Sequence, residues 1–465
     1  MNQATNKTLG MLMLTAMVVG GIIGSGIFSL PQNMAEGAGA GAIIIAWIIT
    51  LFGMFTLTTI FRTLATDFSE VKEGLYGYIK LGFGDYIGFN AAWGYWISAW
   101  ISCTSYFVIL FSALSYFEPL HFFGHGNTLE ALIASLCILS LIYLLIRQGI
   151  YAAAFLNSLI TLAKIIPIGV FILCVSLAFK WETFTLDFWG TPALGPVFEQ
   201  VKSTMLYTVW VYLGIESATI YASRAGKSID VSRATILGFL VTSLLLVAVS
   251  LLSLGVVPQH ELAAMKNPSM ALVLKYAVGD WGAIFINIGL IISISGALLT
   301  WVMLASEMLY LSGLGKTHTV PKQFGKLNAK GTPINSLTLT CALIAVLLVI
   351  AHLHEASYNT LIQLSTSMVL IPYLLAALFF FKTALSEQKL KKSLIGFVGS
   401  LYGVWLIYAG GINYLLLSML LYSLGIGFYL AARKQRQLSG FTLHWEKFSA
   451  SLIVLLAVGA GVYFA

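Results

Sequence analysis

Charged residues are scarce in this chain: Asp, Glu, Lys and Arg make up 9% of its 465 residues, against about 25% in a typical soluble domain. Hydrophobic residues make up 59%. We therefore expect a membrane protein whose function lies among its helices. The longest polar interruptions are too short to hold a soluble catalytic domain, and they cover residues 62–86, 181–202, 258–280 and 314–335.

Cysteine and histidine are also few. The four cysteines lie in apolar stretches without CxxC or His-rich spacing, so we expect small buried side chains and neither disulfides nor a zinc site. The seven histidines have no HExxH context, and no Walker A or GxSxG motif occurs in a suitable setting. The sequence thus predicts no enzyme, no metal ion and no cofactor.

Thirteen apolar segments are long enough to cross a bilayer. The division between the eleventh and twelfth depends on Gly410 and Gly411 alone, and the last segment is short, so twelve spans stay open. The first apolar run is too long for a signal peptide and should remain as a membrane helix. The segments cover roughly 10–35, 41–61, 87–117, 129–146, 150–179, 203–222, 235–257, 281–313, 336–353, 358–381, 394–409, 412–432 and 448–464.

Lysine and arginine are unevenly divided between the two sides. With the N-terminus in the cytoplasm, 20 of the 25 Lys and Arg residues fall in inner loops, four fall in outer loops, and Lys164 lies within a segment. Positive charge is normally concentrated on the cytoplasmic side. The sequence therefore predicts a multi-pass protein of the cytoplasmic membrane with its N-terminus inside. Because the net charge of +7 is spread along one face, we expect lipid, and no nucleic acid, as a partner.

The first segment contains the run GGIIGSGIFSLP at residues 20–31, where a membrane helix would favour Leu and Ile. Glycine weakens a helix, and opened backbone is tolerated in a membrane only where it lines a protein cavity. A break at Gly24, Ser25 and Gly26 would expose N–H groups and a positive helix end that bind a carboxylate. The alternative is close helix packing, since Gly20 and Gly24 have GxxxG spacing.

The sixth segment reads TVWVYLGIESATIY and carries Glu216 near its middle. A carboxylate at that depth is costly and points to function: it could neutralise a cationic substrate, take up a proton, or belong to a fixed network. Trp210 could offer its ring to a cationic group or simply pack. Interruptions in segments 1 and 6 are typical of inverted repeats. We expect a single transporter domain over residues 1–465, with repeats at 10–180 and 203–382 and accessory helices at 394–464.

Three further polar residues lie inside apolar segments. Lys164 must find a carboxylate, backbone carbonyls or water; it could stand in for a bound cation, cycle protons, or pin helices together as a constant charge. Glu307 follows Trp301 by six residues, repeating the spacing of Trp210 and Glu216, and faces either a cavity or the inner end of its helix. Ser365 could contact a ligand or bond its own helix.

Three runs together resemble the amino acid–polyamine–organocation superfamily, within its basic amino acid/polyamine antiporter branch. These are GSGIFSLPQN in segment 1, AWGYW in segment 3 and W-x-x-x-G-I-E-S in segment 6. The resemblance covers essentially the whole chain and is strongest to the arginine/ornithine antiporters, with the arginine/agmatine antiporters more distant. It implies an all-α integral membrane protein with a LeuT-type 5+5 inverted repeat, 12 or 13 transmembrane helices, and discontinuous segments 1 and 6.

The resemblance also implies roles for individual residues. Gly24, Ser25 and Gly26 would bind the substrate carboxylate, and backbone carbonyls at Ile22 and near Leu213 would take the α-amino group. The remaining roles are contact with the substrate, gating and proton coupling, and they map onto Trp210, Trp301 and Ser365 for contact, and onto Tyr95, Glu216, Lys164 and Glu307 for gating or proton coupling.

The chain departs from the arginine/agmatine antiporters at Gly21 and Cys103, where they have asparagines, and at Lys164, where they have a small apolar residue. Lys164 instead resembles proton-coupled amino acid transporters of the superfamily, in which it occupies the place of a sodium ion. The favoured function is exchange of arginine or lysine for ornithine or a related amine by alternating access. The alternative is a proton-coupled amino acid symporter using Lys164, and a homodimer stays open.

Overall fold

The computed structural model describes residues 11–68, 70–71, 73–148, 150–216, 228–314 and 319–464. Within these ranges only the backbone is considered at residues 12–14, 16–17, 150–163 and 228–232. All regular structure in the described ranges is helical, which confirms the predicted all-α class. Residues 217–222 of predicted segment 6, and the basic residues Lys7, Lys72, Arg224, Lys227 and Lys316, lie outside these ranges.

The described residues of the first half of the chain form nine α-helices. Segment 1 is divided between the first two, and the short fourth and eighth helices lie in the polar interruptions. The helices are α1 (Met11–Ile22), α2 (Gly26–Ala35), α3 (Ala40–Asp67), α4 (Leu75–Phe83), α5 (Asp85–Leu114), α6 (Leu129–Arg147), α7 (Ile150–Ala178), α8 (Trp181–Thr185) and α9 (Val197–Trp210).

Nine more helices follow in the described part of the second half. They are α10 (Ser228–Leu254), α11 (Gln259–Ala263), α12 (Ser269–Val278), α13 (Asp280–Gly313), α14 (Ile334–Leu353), α15 (Tyr358–Ser386), α16 (Leu390–Ala409), α17 (Gly411–Gln435) and α18 (His444–Phe464).

Ten helices of the described chain are long and apolar enough to cross a membrane, judged by length and composition. Each of the thirteen predicted segments coincides with at least part of a helix. The predicted division at Gly410 is confirmed, because α16 ends at Ala409 and a separate helix, α17, begins at Gly411, whose φ of 78° marks a change of backbone direction. The inverted repeat over 10–180 and 203–382 stays a prediction.

Helix α5 lies at the centre of the molecule. In the 18-residue stretch that qualifies it as a membrane span, 89% of residues are buried, against 22% in α6 and 17% in α18. It packs against α13 and α15, while α1 packs against α10 and α7, and α9 packs against α3 and α15. The interrupted first segment, the end of α9 and the middle of α5 therefore meet inside the bundle.

Large apolar side chains cover the outside of the bundle. Leu177, Leu244, Phe448 and Val462 are each at least 70% exposed. A soluble protein rarely presents so much contiguous apolar surface. This arrangement is the one expected of helices that face hydrocarbon, and it leaves the polar side chains of the segments for the interior.

Candidate functional site

The first segment is broken where the glycines predict it. Helix α1 ends at Ile22, Gly24 and Ser25 form a bend, and α2 begins at Gly26. The last intrahelical bond before the bend joins the Ile23 N–H to the Val19 carbonyl at 2.9 Å. The first N–H groups of α2 therefore have no preceding turn to bond to, and they form the positive end of its dipole.

Lys164 lies on the α1 side of this break. Its Nζ donates hydrogen bonds of 2.5 Å to the backbone carbonyls of Gly20 and Ile23 at the end of α1, and the residue is 3% exposed. Of the partners that the sequence allows, the lysine thus uses backbone carbonyls. A cation at the carbonyl end of a helix also stabilises its dipole.

Ser25 contacts a tyrosine that the sequence analysis did not single out. Its hydroxyl lies 2.9 Å from the Tyr358 hydroxyl at the start of α15, and Ser29 donates to the same oxygen at 3.3 Å. Ser25 and Tyr358 are both buried. The bend in segment 1 is therefore tied to the second half of the chain through a pair of hydroxyl groups.

Trp210 covers the beginning of α2. It is the last residue of α9, and a β-carbon placed on Gly26 would lie 2.9 Å from its indole nitrogen. Only glycine therefore lets the ring approach this closely. The Trp210 and Tyr106 rings meet edge to face at 5.9 Å, and a β-carbon on Gly24 would lie 2.8 Å from the Tyr106 hydroxyl. The non-helical backbone at the break in segment 1 is thus covered by two aromatic side chains.

The chain turns directly after Trp210. Residues 211–216 form turns rather than helix, and Gly214 adopts a φ of 101°, which disfavours any other residue. A β-carbon there would lie 2.6 Å from the Gly21 carbonyl oxygen. The unwound end of segment 6 therefore packs backbone to backbone against α1. Leu213 is buried within this turn, as Ile22 is at the end of α1.

Glu216 lies at the centre of a second cluster. Tyr95 on α5 donates a 2.5 Å hydrogen bond to one carboxylate oxygen, and Tyr373 on α15 donates a 2.7 Å bond to the other. The Gly214 N–H adds a third bond at 3.2 Å. The Trp301 ring is stacked on Tyr95 with 6.5 Å between ring centres. A carboxylate with three donors can remain buried, so this cluster links α5, α13, α15 and the turn.

Two predicted site residues have other surroundings. The Ser365 hydroxyl donates to the Ser98 carbonyl at 2.8 Å and lies 2.7 Å from the Ser102 hydroxyl, so it joins α15 to α5. Glu307 is partly exposed, six residues before the end of α13. A ligand-contact role for Ser365 and a gating role for Glu307 both stay predictions.

A third polar cluster joins the far end of α2 to three other elements, and we call it the amide network. The two N–H bonds of Asn267 Nδ2 are shared among three side-chain oxygens, of Gln32 at 2.9 Å, Asn33 at 2.9 Å and Asn359 at 3.1 Å. Asn359 Nδ2 donates to Glu36 at 3.0 Å. The Tyr207 hydroxyl donates to the same carboxylate oxygen of Glu36 at 3.1 Å. The network holds α2, α9, the start of α15 and the loop before α12 together.

The sequence alone did not indicate Tyr106, Tyr358, Tyr373 or the amide network. The signal for the tyrosines is weak, because the chain contains 21 of them and their periodicity does not distinguish packing from lining. Asn267 and Asn359 lie in or next to polar interruptions, where asparagine is ordinary. Only the fold brings these residues to the break in segment 1, to Glu216 or to the far end of α2.

These features define a class: a multi-pass helical membrane protein with an interrupted helix, and an enclosed polar centre, deep inside the bundle. The family model described as amino acid permease matches residues 9–458. The chain belongs to this family, whose members are transporters and not enzymes.

Three relatives extend this result. The arginine/ornithine antiporter of Pseudomonas aeruginosa is 45% identical over 100% of this chain and 99% of its own length. The arginine/agmatine antiporter of Chlamydia pneumoniae is 40% identical over 98% and 96%. That of Chlamydia caviae is 39% identical over 98% and 96%. The chain therefore resembles antiporters along its whole length.

Proposed function

We propose that this protein exchanges a cationic amino acid, arginine or lysine, for ornithine or a related amine across the cytoplasmic membrane. The observation that carries the proposal is the Trp210 ring lying against Gly26 at the start of α2. It brings together free backbone N–H groups, which suit a carboxylate, and an aromatic face, which suits a guanidinium or ammonium group. The names of the three relatives support the choice of substrates.

In the proposed mechanism, the substrate carboxylate binds at Gly24, Ser25 and Gly26. Backbone carbonyls at Ile22 and near Leu213 take its α-amino group. To enter, the carboxylate takes over the Ser25 hydroxyl, which now pairs with Tyr358. Trp210 then moves from Gly26 onto the substrate side chain, with Trp301 bordering the same space. Ligand binding thus substitutes for contacts that hold the empty site closed.

Two gates would alternate around this site. We assign the inner gate to Glu216, Tyr95 and Tyr373, and the outer gate to the amide network. Exchange follows if the carrier rearranges readily with a ligand bound and poorly without one. After it releases one ligand, the carrier then returns only when the other ligand has bound. The two repeats at 10–180 and 203–382 would rock against each other, with the helices of 394–464 as accessories.

The inner gate can be tested through the native Cys103, one helical turn from Tyr106 on α5 and fully buried. With the other three cysteines replaced by serine, Tyr373→Phe should increase Cys103 labelling from the cytoplasmic side by about fivefold, since one hydrogen bond to a carboxylate is lost. Tyr143→Phe, which removes a hydroxyl on α6, serves as the control. Equal labelling rates in both variants would remove Tyr373 from the gate.

The exchange itself is tested by counterflow. Labelled arginine should enter proteoliposomes loaded with ornithine and stay outside empty ones, and unlabelled lysine, ornithine, agmatine, cadaverine and neutral amino acids are then offered as competitors. Uptake into empty vesicles driven by a pH gradient would contradict exchange. It would support the alternative, a proton-coupled symporter, for which the buried ammonium of Lys164 against the break is the relevant observation.

The proposal also includes the orientation of the chain in the membrane and its oligomeric state. We infer a cytoplasmic N-terminus and a lipid bilayer around the exposed apolar helices from the distribution of Lys and Arg. A cysteine at His354, between α14 and α15, should then react with an impermeant reagent from outside, and one at Lys389 should not. A homodimer would use apolar surface such as that of α18, and the mass of the detergent-purified protein measured by light scattering tests it.

A further inference from the structure

One hydroxyl group at the break in segment 1 has no hydrogen-bond partner. The Tyr106 side chain on α5 is 4% exposed, and a β-carbon on Gly24 would lie 2.8 Å from its hydroxyl oxygen. Ser25 and Ser29 both bond the Tyr358 hydroxyl, whereas nothing in the described part of the chain bonds the Tyr106 hydroxyl. A buried donor without an acceptor costs free energy, so a ligand that brings an acceptor to Tyr106 gains that energy.

The Tyr106 hydroxyl is also within reach of a ligand. The polar atoms that are both fully enclosed and without a partner include the indole nitrogen of Trp210 but not the Tyr106 oxygen, so this oxygen keeps some accessible surface. The edge-to-face contact between the Tyr106 and Trp210 rings, at 5.9 Å, holds the phenol in place. The break therefore has a positioned donor that is free to bond a substrate.

Backbone donors lie beside this hydroxyl. The first backbone hydrogen bond after the break joins the Phe28 N–H to the Ser25 carbonyl at 3.0 Å. The preceding N–H groups, of Gly26 and Ile27, have no backbone acceptor among the described residues, and they form the positive end of the α2 dipole. The ammonium of Lys164 bonds the carbonyls directly before the break. All of these groups favour an anion.

The arrangement suits the carboxylate end of an amino acid. A carboxylate has two oxygens that together accept about four hydrogen bonds, and bonds from donors to an ionised group are the strong ones. The buried carboxylate of the protein itself, Glu216, does not compete for this hydroxyl, because it is bonded by Tyr95 and Tyr373. The Tyr106 donor therefore remains available to the substrate.

From these contacts we propose that Tyr106 donates a hydrogen bond to the substrate carboxylate and thereby selects ligands that carry this group. This role rests on the proposed function, in which the carboxylate binds at Gly24, Ser25 and Gly26, and it narrows the counter-substrate. Ornithine keeps the carboxylate, whereas agmatine and cadaverine lack it. With such an amine bound, the Tyr106 hydroxyl and the first N–H groups of α2 stay unpaired, which costs free energy. The exchanged pair is therefore two amino acids.

Competition binding to the purified full-length protein tests this role. Labelled L-arginine is bound at equilibrium, and unlabelled arginine, ornithine, agmatine and arginine methyl ester are the competitors. In the unaltered protein, agmatine and the ester should compete about tenfold or more weakly than arginine, because neither presents a carboxylate to the donors.

Tyr106→Phe should reduce this preference. The variant keeps the ring beside Trp210 and removes only the hydroxyl. Arginine and ornithine should bind about tenfold more weakly, because one hydrogen bond to a charged group is lost, and agmatine binding should change by less than about twofold. The melting midpoint of the empty protein should not fall, since the hydroxyl that is removed was unpaired. Arginine should raise the midpoint less than it does in the unaltered protein.

Tyr429→Phe is the matched control. The Tyr429 hydroxyl is likewise buried without a partner, and its ring packs against Tyr86 in the first turn of α5, about 30 Å along that helix from Tyr106. This variant should bind arginine and agmatine as the unaltered protein does, within about twofold.

The outcomes separate this role from the proposed exchange. If arginine binds saturably and its preference over agmatine is the same in Tyr106→Phe, the hydroxyl does not contact the carboxylate, and the exchange site stands without it. Equal weakening of arginine and agmatine, or a lower midpoint of the empty variant, would show a structural role for the hydroxyl and overturn the proposal. Absence of saturable arginine binding by the unaltered protein would contradict the proposed function as well.

Discussion

Single residues determine how the break in segment 1 is held. Gly26 has no β-carbon, so the Trp210 ring reaches the start of α2, and Gly24 likewise admits the Tyr106 hydroxyl. Lys164 bonds the carbonyls that α1 leaves open. Each of these contacts uses a property that only one or two residue types possess: no side chain, a flat ring, or a long cationic one.

Trp210→Leu tests the first of these contacts. We expect apparent affinity for arginine in counterflow to fall severalfold, because leucine retains apolar bulk and loses the aromatic face, which contributes about 0.5–2 kcal/mol toward a cation. Trp281→Leu is the matched control, since Trp281 is 52% exposed at the start of α13. Similar arginine affinities in the two variants would remove Trp210 from the binding site.

At this scale the sequence indicated part of the candidate site. Glycines inside an apolar segment, a mid-segment carboxylate and a mid-segment lysine each conflict with the membrane setting, and that conflict was visible without coordinates. Tyr373 and Tyr358 do not conflict with it, because a tyrosine in an apolar helix is ordinary. Their hydroxyl groups gain a role only from partners on α2 and on the turn after α9.

Two interrupted elements meet in this protein. The helix of segment 6 ends at Trp210, residues 211–216 form turns, and the backbone of Gly214 lies against that of Gly21. Each open end lies beside the other, so neither faces lipid, and this is the condition under which irregular backbone is tolerated at membrane depth.

Gly214→Ala should disturb both elements together. Alanine at a φ of 101° is strained, and its β-carbon would collide with the Gly21 carbonyl 2.6 Å away. We expect a loss of stability of about 2 kcal/mol or more, measured as a lower midpoint in thermal fluorescence-detected size exclusion, together with slower exchange.

Gly411→Ala separates the effect of backbone strain from the effect of collision with a neighbouring atom. Gly411 has a φ of 78° and no atom within 4 Å of the added β-carbon, so it carries strain without collision. Its loss of stability should be about 1 kcal/mol. Equal midpoints for the two variants would mean that contact between α1 and the turn contributes nothing.

Helix positions were predictable because long apolar runs have few alternatives in a bilayer. The break at Gly24 to Gly26 followed from helix propensity. The short helices α4, α8, α11 and α12 were not predicted, since they lie in polar interruptions that carry no periodic apolar signal. One of them, α12, follows the loop that carries Asn267 of the amide network.

At the scale of the whole molecule, hydrogen bonds and an ion pair join the C-terminal helices α17 and α18 to the central helix α5. The fully buried Glu446, at the start of α18, accepts hydrogen bonds from the backbone N–H groups of Tyr86, Thr442 and Leu443 at 2.8–3.1 Å. Arg433 on α17 pairs with Asp85 at 2.8 Å. The end of the chain is thereby joined to the first turn of α5, the most buried helix among the candidate spans.

Glu446→Ala should lower the stability of the entire protein. Three backbone donors would lose their acceptor, and the N–H of the fully buried Tyr86 would be left unpaired at a cost of about 1–3 kcal/mol. Glu387→Ala is the control, because Glu387 pairs with Lys389 on the surface, where ion pairs contribute little. If both variants melt at the same temperature, α18 is not held by Glu446.

Long-range junctions of this kind could not be predicted from the sequence. Glu446 is 360 positions from Tyr86, and local composition gives no measure of which loops meet. The positive-inside rule and apolar run lengths describe segments one at a time. They leave open which helix is central, and α5 becomes central only through packing on both α13 and α15.

The ammonium of Lys164 has one more implication, for the medium in which the protein operates. Because this charge is covalently part of the chain, it does not dissociate when the surrounding salt is diluted, as a free metal ion would. We therefore expect the carbonyls of Gly20 and Ile23 to keep this contact in a sodium-free medium, where a site built on a free sodium ion would lose its ligand.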